Sequence, residues 1–204
     1  MTPAQRQSIT GLILAGGRSS RMGADGGRPR DKALMQFKGK RLVDHVFERI
    51  APQVGGVMIN ANQNHDQYKS FGVRVVSDAI GDYAGPLAGW LAGLEHCETP
   101  YMLTVPCDTP QFPLDLAVRL AQALAAADAD IAMAATQEDG RVQVQPVFCL
   151  LKTTLIESLV AYLAQGQRKI DQWTALHPCT TVVFDDAQAF FNANTAEELR
   201  SLSR

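Results

Sequence analysis

Gly16-Gly17, followed by Arg18, Arg21 and Lys32, is a combination suited to a polyphosphate. Glycines let backbone N–H groups approach phosphate oxygens closely, and guanidinium and ammonium groups neutralise the charge. Two common phosphate loops do not fit. The spacing from Gly17 to Gly23 is wrong for GxxxxGK[ST] and no lysine follows, and residues 16–21 do not supply GxGxxG. A solvated, charged surface loop would carry the same residues. Asp108 directly follows the apolar run YMLTVP, where a carboxylate can hold Mg²⁺ against phosphate oxygens. It could equally cap a turn ahead of Pro110. Asp78, after VRVVS, has the same two readings. His45, His65, His96 and His177 are scattered and read as structural or surface residues.

The elements that must position these groups follow from hydrophobic patterning. Short β-branched and apolar runs at 9–15 (ITGLILA), 56–60 (GVMIN), 73–77 and 101–106 predict buried strands. Helical spacing of Leu42, Val43, Val46, Phe47 and Ile50 predicts a helix over 42–54. A helix rich in small residues is expected over 87–97, with Pro86 in its first turn, and an Ala- and Leu-rich one over 114–127. Residues 130–136 and 143–149 flank Glu138-Asp139-Gly140 as a hairpin or longer β excursion would. Segments 153–165 and 170–176 read as helices and 180–184 as a strand. Thr195 and Glu198 have capping-box spacing for a last helix over 195–203. Strand–helix alternation over the first 130 residues predicts one α/β domain, a three-layer αβα Rossmann-like architecture with a mostly parallel sheet. Residues 1–110 would form its nucleotide-binding half and 111–204 the other. In such a sheet ligands sit beyond the carboxyl ends of the strands near a topological switch point. There the chain places Gly16 and Gly17, Asn60 and Asn62, Asp78, and Asp108.

Composition narrows the classes. The 204 residues carry 19 Lys+Arg and 21 Asp+Glu, a net charge of −2, which argues against a binder of polymeric nucleic acid. No apolar run approaches the ~18 to 20 residues needed to cross a bilayer. The polar stretch 1–10 lacks the pattern of a secretory signal. Cys97, Cys107, Cys149 and Cys179 show no CxxC spacing, so they read as reduced thiols of a cytoplasmic protein.

Residues 14–23 (LAGGRSSRMG), with Asp31-Lys32, resemble the LAGGxSxRMGxDK signature of the molybdopterin-like nucleotidyltransferases. Three further segments are similar to motifs of the guanylyltransferase branch of that family: 107–110 (CDTP), 85–89 (GPLAG) and 192–199 (NANTAEEL, with Ala196 in place of proline). The first motif alone fits many nucleotidyltransferases; the ordered set of four is far more specific. The resemblance implies a nucleotidyltransferase fold and transfer of GMP from GTP to molybdopterin, with or without molybdenum bound, releasing pyrophosphate with Mg²⁺. It implies that Leu14, Ala15, Gly16 and Gly17 meet the guanine nucleotide and that Lys32 contacts its phosphates. Asn60 and Asp78 would complete the nucleoside pocket, Asp108 would hold Mg²⁺, and Arg21 would face the leaving pyrophosphate. Gly85, Pro86, Leu87, Asn192 and Asn194 would lie on the pterin side. A molybdenum-insertion protein and recipient molybdoenzymes are the further partners it implies.

The chemistry is consistent with these residue types. The terminal phosphate of molybdopterin would be the nucleophile, and a phosphate monoester with a second pKa of ~6 is already mostly dianionic near neutral pH. No catalytic histidine is required; catalysis would come from positioning and charge neutralisation. One departure from the signature is residues 24–30 (ADGGRPR), inserted before Asp31-Lys32. They are too rich in Gly and Pro for regular structure, which predicts a mobile loop that orders over the triphosphate, with Arg28 or Arg30 able to share the role of Lys32. Two rivals stay open at this point: a cytidylyltransferase on the same pterin, or another nucleotide-dependent transferase, and a non-catalytic GTP- or cofactor-binding protein.

Overall fold

The computed structural model describes residues 1–16, 31–79, 85–138 and 140–193. Gly17, Arg21, Asn194, the 24–30 insertion and the capped helix expected at 195–203 lie outside the described residues. In chain order the elements are α1 (Pro3–Gln7), β1 (Ile9–Leu14), a short ribbon of β2 (Gln36–Phe37) and β3 (Lys40–Arg41), α2 (Leu42–Ile50), β4 (Gly56–Asn60), α3 (His65–Tyr68) and β5 (Arg74–Val76). Then follow α4 (Pro86–Leu94), β6 (Tyr101–Pro106), α5 (Leu116–Ala126), β7 (Ile131–Glu138), β8 (Arg141–Lys152), α6 (Ile156–Ala164), α7 (Ile170–Thr174) and β9 (Cys179–Phe184).

Seven strands form one sheet in the order β5-β4-β1-β6-β8-β7-β9. Only β8 runs against the rest, pairing antiparallel with both β6 and β7, so the expected mostly parallel αβα sheet is what the chain builds. The period-2 alternation of side chains splits each central strand between two cores. In β1, Ile9 and Ile13 join the core beneath α2 and α5, with Val46, Ile50, Leu103, Leu116 and Leu120. Leu12 faces the other way, into the core beneath α4 and α6, with Met102, Trp90, Leu159 and Trp173.

The direction of winding sets the position of the site. From β1 the chain steps outward to β4 and β5, with α2 on one face. It then returns to the opposite flank of β1 as β6, and α4 lies on the other face. Right-handed crossovers require this change of face when the direction of travel reverses. The reversal occurs at β1, which is the switch point.

Several boundaries differ from expectation: α2, expected over 42–54, ends at Ile50, and α5, expected over 114–127, spans Leu116–Ala126. Helix α4 stops at Leu94 rather than 97, because His96 N–H and Cys97 N–H bond three residues back, to the carbonyls of Gly93 and Leu94. Such bonds tighten and end the last turn. The stretch 1–10, expected only to be polar, contains α1, opened by a reciprocal capping box between Thr2 and Gln5. Among the described residues no helix is long and apolar enough to cross a membrane.

Candidate active site

Leu14 at the end of β1 lies opposite Asn60 of β4 and Pro106 of β6, so three strands end at one level. Ala15 N–H donates to Asn60 O (2.8 Å) and Cys107 N–H to Leu14 O (3.1 Å), which carries the pairing one residue past the strands. Ala15, Ala61 and Cys107 therefore start from one rim of the sheet.

On the β4–β5 side the polar groups converge on Asp78. The carboxamide nitrogen of buried Asn60 donates to Asp78 Oδ1 (2.8 Å) and to Val76 O (3.4 Å). Asn62 Nδ2 donates to Asp78 Oδ2 (2.8 Å), and Asn62 Oδ1 accepts from Asp78 N–H (2.9 Å). Asn62 is exposed and Asp78 half-buried, so these two form the accessible face of the cluster. Asn60 is the buried part that orients it. Gly16 and Gly89 make the approach possible. A Cβ at Gly16 would lie 2.9 Å from Asn62 Nδ2, and one at Gly89 would lie 2.5 Å from Asn60 Oδ1 and 2.8 Å from Leu14 Cδ2.

On the β6 side, Lys32 Nζ donates to Asp108 Oδ2, both side chains being largely buried. Asp31 caps the single helical turn that carries Lys32, its Oδ1 accepting from Ala33 N–H (3.1 Å). The two expected phosphate and metal groups, 76 residues apart in sequence, thus meet at the switch point. Next to them, Thr109 Oγ1 donates to Asn192 Oδ1 (2.6 Å) and Ala193 N–H donates to Asp108 O (2.8 Å). Ala193 is fully buried with Phe37 and Leu42, which seats the C-terminal NxN segment on the turn bearing Asp108. Buried Thr109 is a residue that sequence reasoning missed. The CDTP motif contained it, but nothing local marked the hydroxyl as the tie to residue 192.

Gly85 and Pro86 are exposed at the start of α4, Gly85 as its N-cap with φ +69°. The Leu87 side chain is wholly buried in the core beneath α4, because residues 87–94 of this short helix are buried all round.

Cys107 adjoins Asp108, but burial, and then the carboxylates of Asp108 and Asp31, push its thiol well above the ordinary value. A protonated, buried thiol is a poor nucleophile. Cys107→Ala is accordingly expected to keep the turnover rate within about threefold of wild type, measured as product formation. The histidines are occupied in structural bonds: His45 to Phe37 O, His65 to Ala61 O, His96 to Ala92 O and His177 to Ser158 Oγ.

Residues 11–179 match the family described as the MobA-like NTP transferase domain. A molybdenum cofactor guanylyltransferase of Bordetella petrii is 57% identical over 197 residues, covering 97% of this chain and 98% of its own. One of Ralstonia nicotianae is 59% identical, covering 96% of each. The chain belongs to the molybdenum cofactor guanylyltransferase family. It is therefore a nucleotidyltransferase, and the sequence resemblance stands. Solved structures share the fold at low identity. Molybdopterin-guanine dinucleotide biosynthesis protein A of Archaeoglobus fulgidus superposes with a TM-score of 0.71 at 20% identity, covering 94% of this chain and 95% of its own. The 4-diphosphocytidyl-2C-methyl-D-erythritol synthase of Anaerococcus prevotii does so with 0.75 at 12%, covering 100% of each. This chain thus shares its fold with both proteins.

Proposed function

We propose that this protein transfers GMP from GTP to molybdopterin at the carboxyl ends of β1, β4 and β6. The observation that carries the site assignment is the meeting of Lys32 with Asp108 across the end of β1, opposite the Asn60–Asn62–Asp78 cluster. One flank offers a cation and a carboxylate. The other offers amide donors and acceptors beside Gly16, which suit a nucleoside.

A terminal phosphate oxygen of molybdopterin attacks the α-phosphorus of GTP. One P–O bond forms, the bond between the α-phosphorus and the bridging oxygen breaks, and pyrophosphate departs with the electron pair. The dianionic nucleophile needs no general base. Lys32 neutralises charge on the phosphates, and Asp78 with its asparagines fixes the nucleoside so that the α-phosphorus stands in line. Arg21 serves the pyrophosphate, and the backbone of Gly16 and Gly17 lets the nucleotide approach closely. Leu14 and Ala15 form the floor. Gly85, Pro86, Asn192 and Asn194 bound the pterin side, where the bond from Thr109 holds Asn192 beside Asp108.

Asp108 fits Mg²⁺: it is a largely buried carboxylate at the proposed phosphate site, paired with Lys32, and magnesium favours one or two carboxylates completed by phosphate oxygens and water. When bound there the metal supplies charge neutralisation at the phosphates. The amines and amides of this chain do the remaining positioning.

The discriminating experiment compares GTP with CTP as donor to molybdopterin and follows pyrophosphate release. Release with GTP and formation of the guanine dinucleotide support the reading. A preference for CTP overturns the guanylyl assignment, and tight GTP binding without release makes the protein a binder. The molybdenum-insertion protein and recipient molybdoenzymes belong to the same proposal, as the proteins that supply and receive this cofactor in a reducing, cytoplasmic setting.

A further inference from the structure

The Asp31 carboxylate is held by more than the turn it caps. Its Oδ2 accepts from Tyr68 Oη (2.8 Å) and from Asn64 Nδ2 (3.0 Å), both on the β4–β5 connection. Tyr68 has no exposed surface and packs in the core beneath α2. A phenylalanine would fill that space equally well, so the hydroxyl serves the carboxylate. Burial, and then the Asp31 carboxylate, raise the phenol far above its ordinary value, so it stays a donor across the whole working range.

Asn64 points the same way. It occupies the N-cap of α3, where an asparagine side chain ordinarily accepts from an amide of the first turn. Here it makes no such cap bond, adopts a left-handed conformation (φ 56°, ψ 30°) and gives its amide to Asp31. A local rule is broken for the benefit of a residue 33 positions away. Asn60 at the end of β4 and Asn62 just after it hold Asp78. One short segment therefore fixes both flanks of the site.

We infer that Tyr68 and Asn64, acting through the carboxylate of Asp31, are positioning residues that lock the turn presenting Lys32 to the phosphates. This rests on Lys32 being the phosphate ligand proposed above. Neither residue touches substrate. They set where the ammonium group stands when charge builds up in the transition state, which is where preorganisation acts most strongly.

Tyr68→Phe is expected to lower kcat about tenfold while KM for GTP moves less than about threefold, as loss of one hydrogen bond to a charged group predicts. The decisive readout is a double-mutant cycle with Lys32→Met. If Tyr68 acts through Lys32, Tyr68→Phe causes no further loss once the ammonium group is gone. Asn64→Ala, at an exposed position, supplies a second cycle should Tyr68→Phe lower Tm. Wild-type kcat in both single variants overturns the inference. Losses that multiply in both cycles also overturn it, since a merely structural role gives that result. Full activity of Lys32→Met would remove the phosphate role of Lys32 itself, and is a separate outcome from either.

Discussion

Asp108→Asn is expected to lower pyrophosphate release by about 10²- to 10³-fold, the range seen when one preorganised electrostatic group is removed from a reacting centre. Asparagine has nearly the same shape, and the bond from Thr109 to Asn192 does not depend on the Asp108 carboxylate. The turn also stays tied down through the backbone, because Ala193 N–H bonds the carbonyl of residue 108, not its side chain. The fold should therefore survive. What disappears is the negative charge that can hold magnesium and that pairs with Lys32. Raising Mg²⁺ should recover little of the rate, because the amide is a weak ligand for a hard cation. Steady-state kinetics across a Mg²⁺ series checks this, and unchanged release would remove Asp108 from the metal role.

Gly89→Ala should damage stability and nucleotide binding together. The added methyl would stand 2.5 Å from Asn60 Oδ1, 2.8 Å from Leu14 Cδ2 and 3.0 Å from Asn60 Cγ. The Leu14 side-chain end can turn aside, but the Asn60 carboxamide is held by its bonds to Val76 O and Asp78. Overpacking of this kind costs about 1–3 kcal/mol. Relief must come from displacing α4 or rotating the Asn60 carboxamide, and either disturbs Asp78. The expected outcome is a lowered Tm together with a rise of about tenfold in KM for GTP, on the premise that binding depends on the Asn60–Asp78 bond. Chemical denaturation and initial-rate kinetics on the same preparation measure both. Loss of stability with unaltered KM would place the nucleoside away from Asp78.

Much of this was legible because the signals are local. β-branched runs mark the strands, PLAGWLAGL marks a helix rich in small residues, and Glu138-Asp139-Gly140 marks the hairpin, where Gly140 adopts φ +74°. Strand order was not legible. Insertion of antiparallel β8 between β6 and β7 depends on pairings such as Thr104 with Cys149, which no local pattern encodes. At the site, residue types following strands pointed to Gly16, Asn60, Asp78 and Asp108, since topology forces strand ends to converge. The supporting contacts stayed hidden. Tyr68 reads as one more aromatic beside a charged stretch, and Thr109 as part of a turn, until the long-range partners Asp31 and Asn192 are in place. Leu87, inside a motif read as lying on the pterin side, has a side chain wholly buried in the core beneath α4.

The central claim is that GTP lies across the end of β1 with its nucleoside toward Asn62 and Asp78 and its phosphates toward Lys32 and Asp108. The most direct test is a crystal structure with Mg²⁺ and a GTP analogue that cannot be cleaved between the α- and β-phosphates. The expected result is guanosine against Gly16, with Lys32 moved from Asp108 onto phosphate oxygens and the metal held by Asp108 at the triphosphate. Nucleotide bound elsewhere at saturating concentration, with the Lys32–Asp108 contact undisturbed, would contradict it.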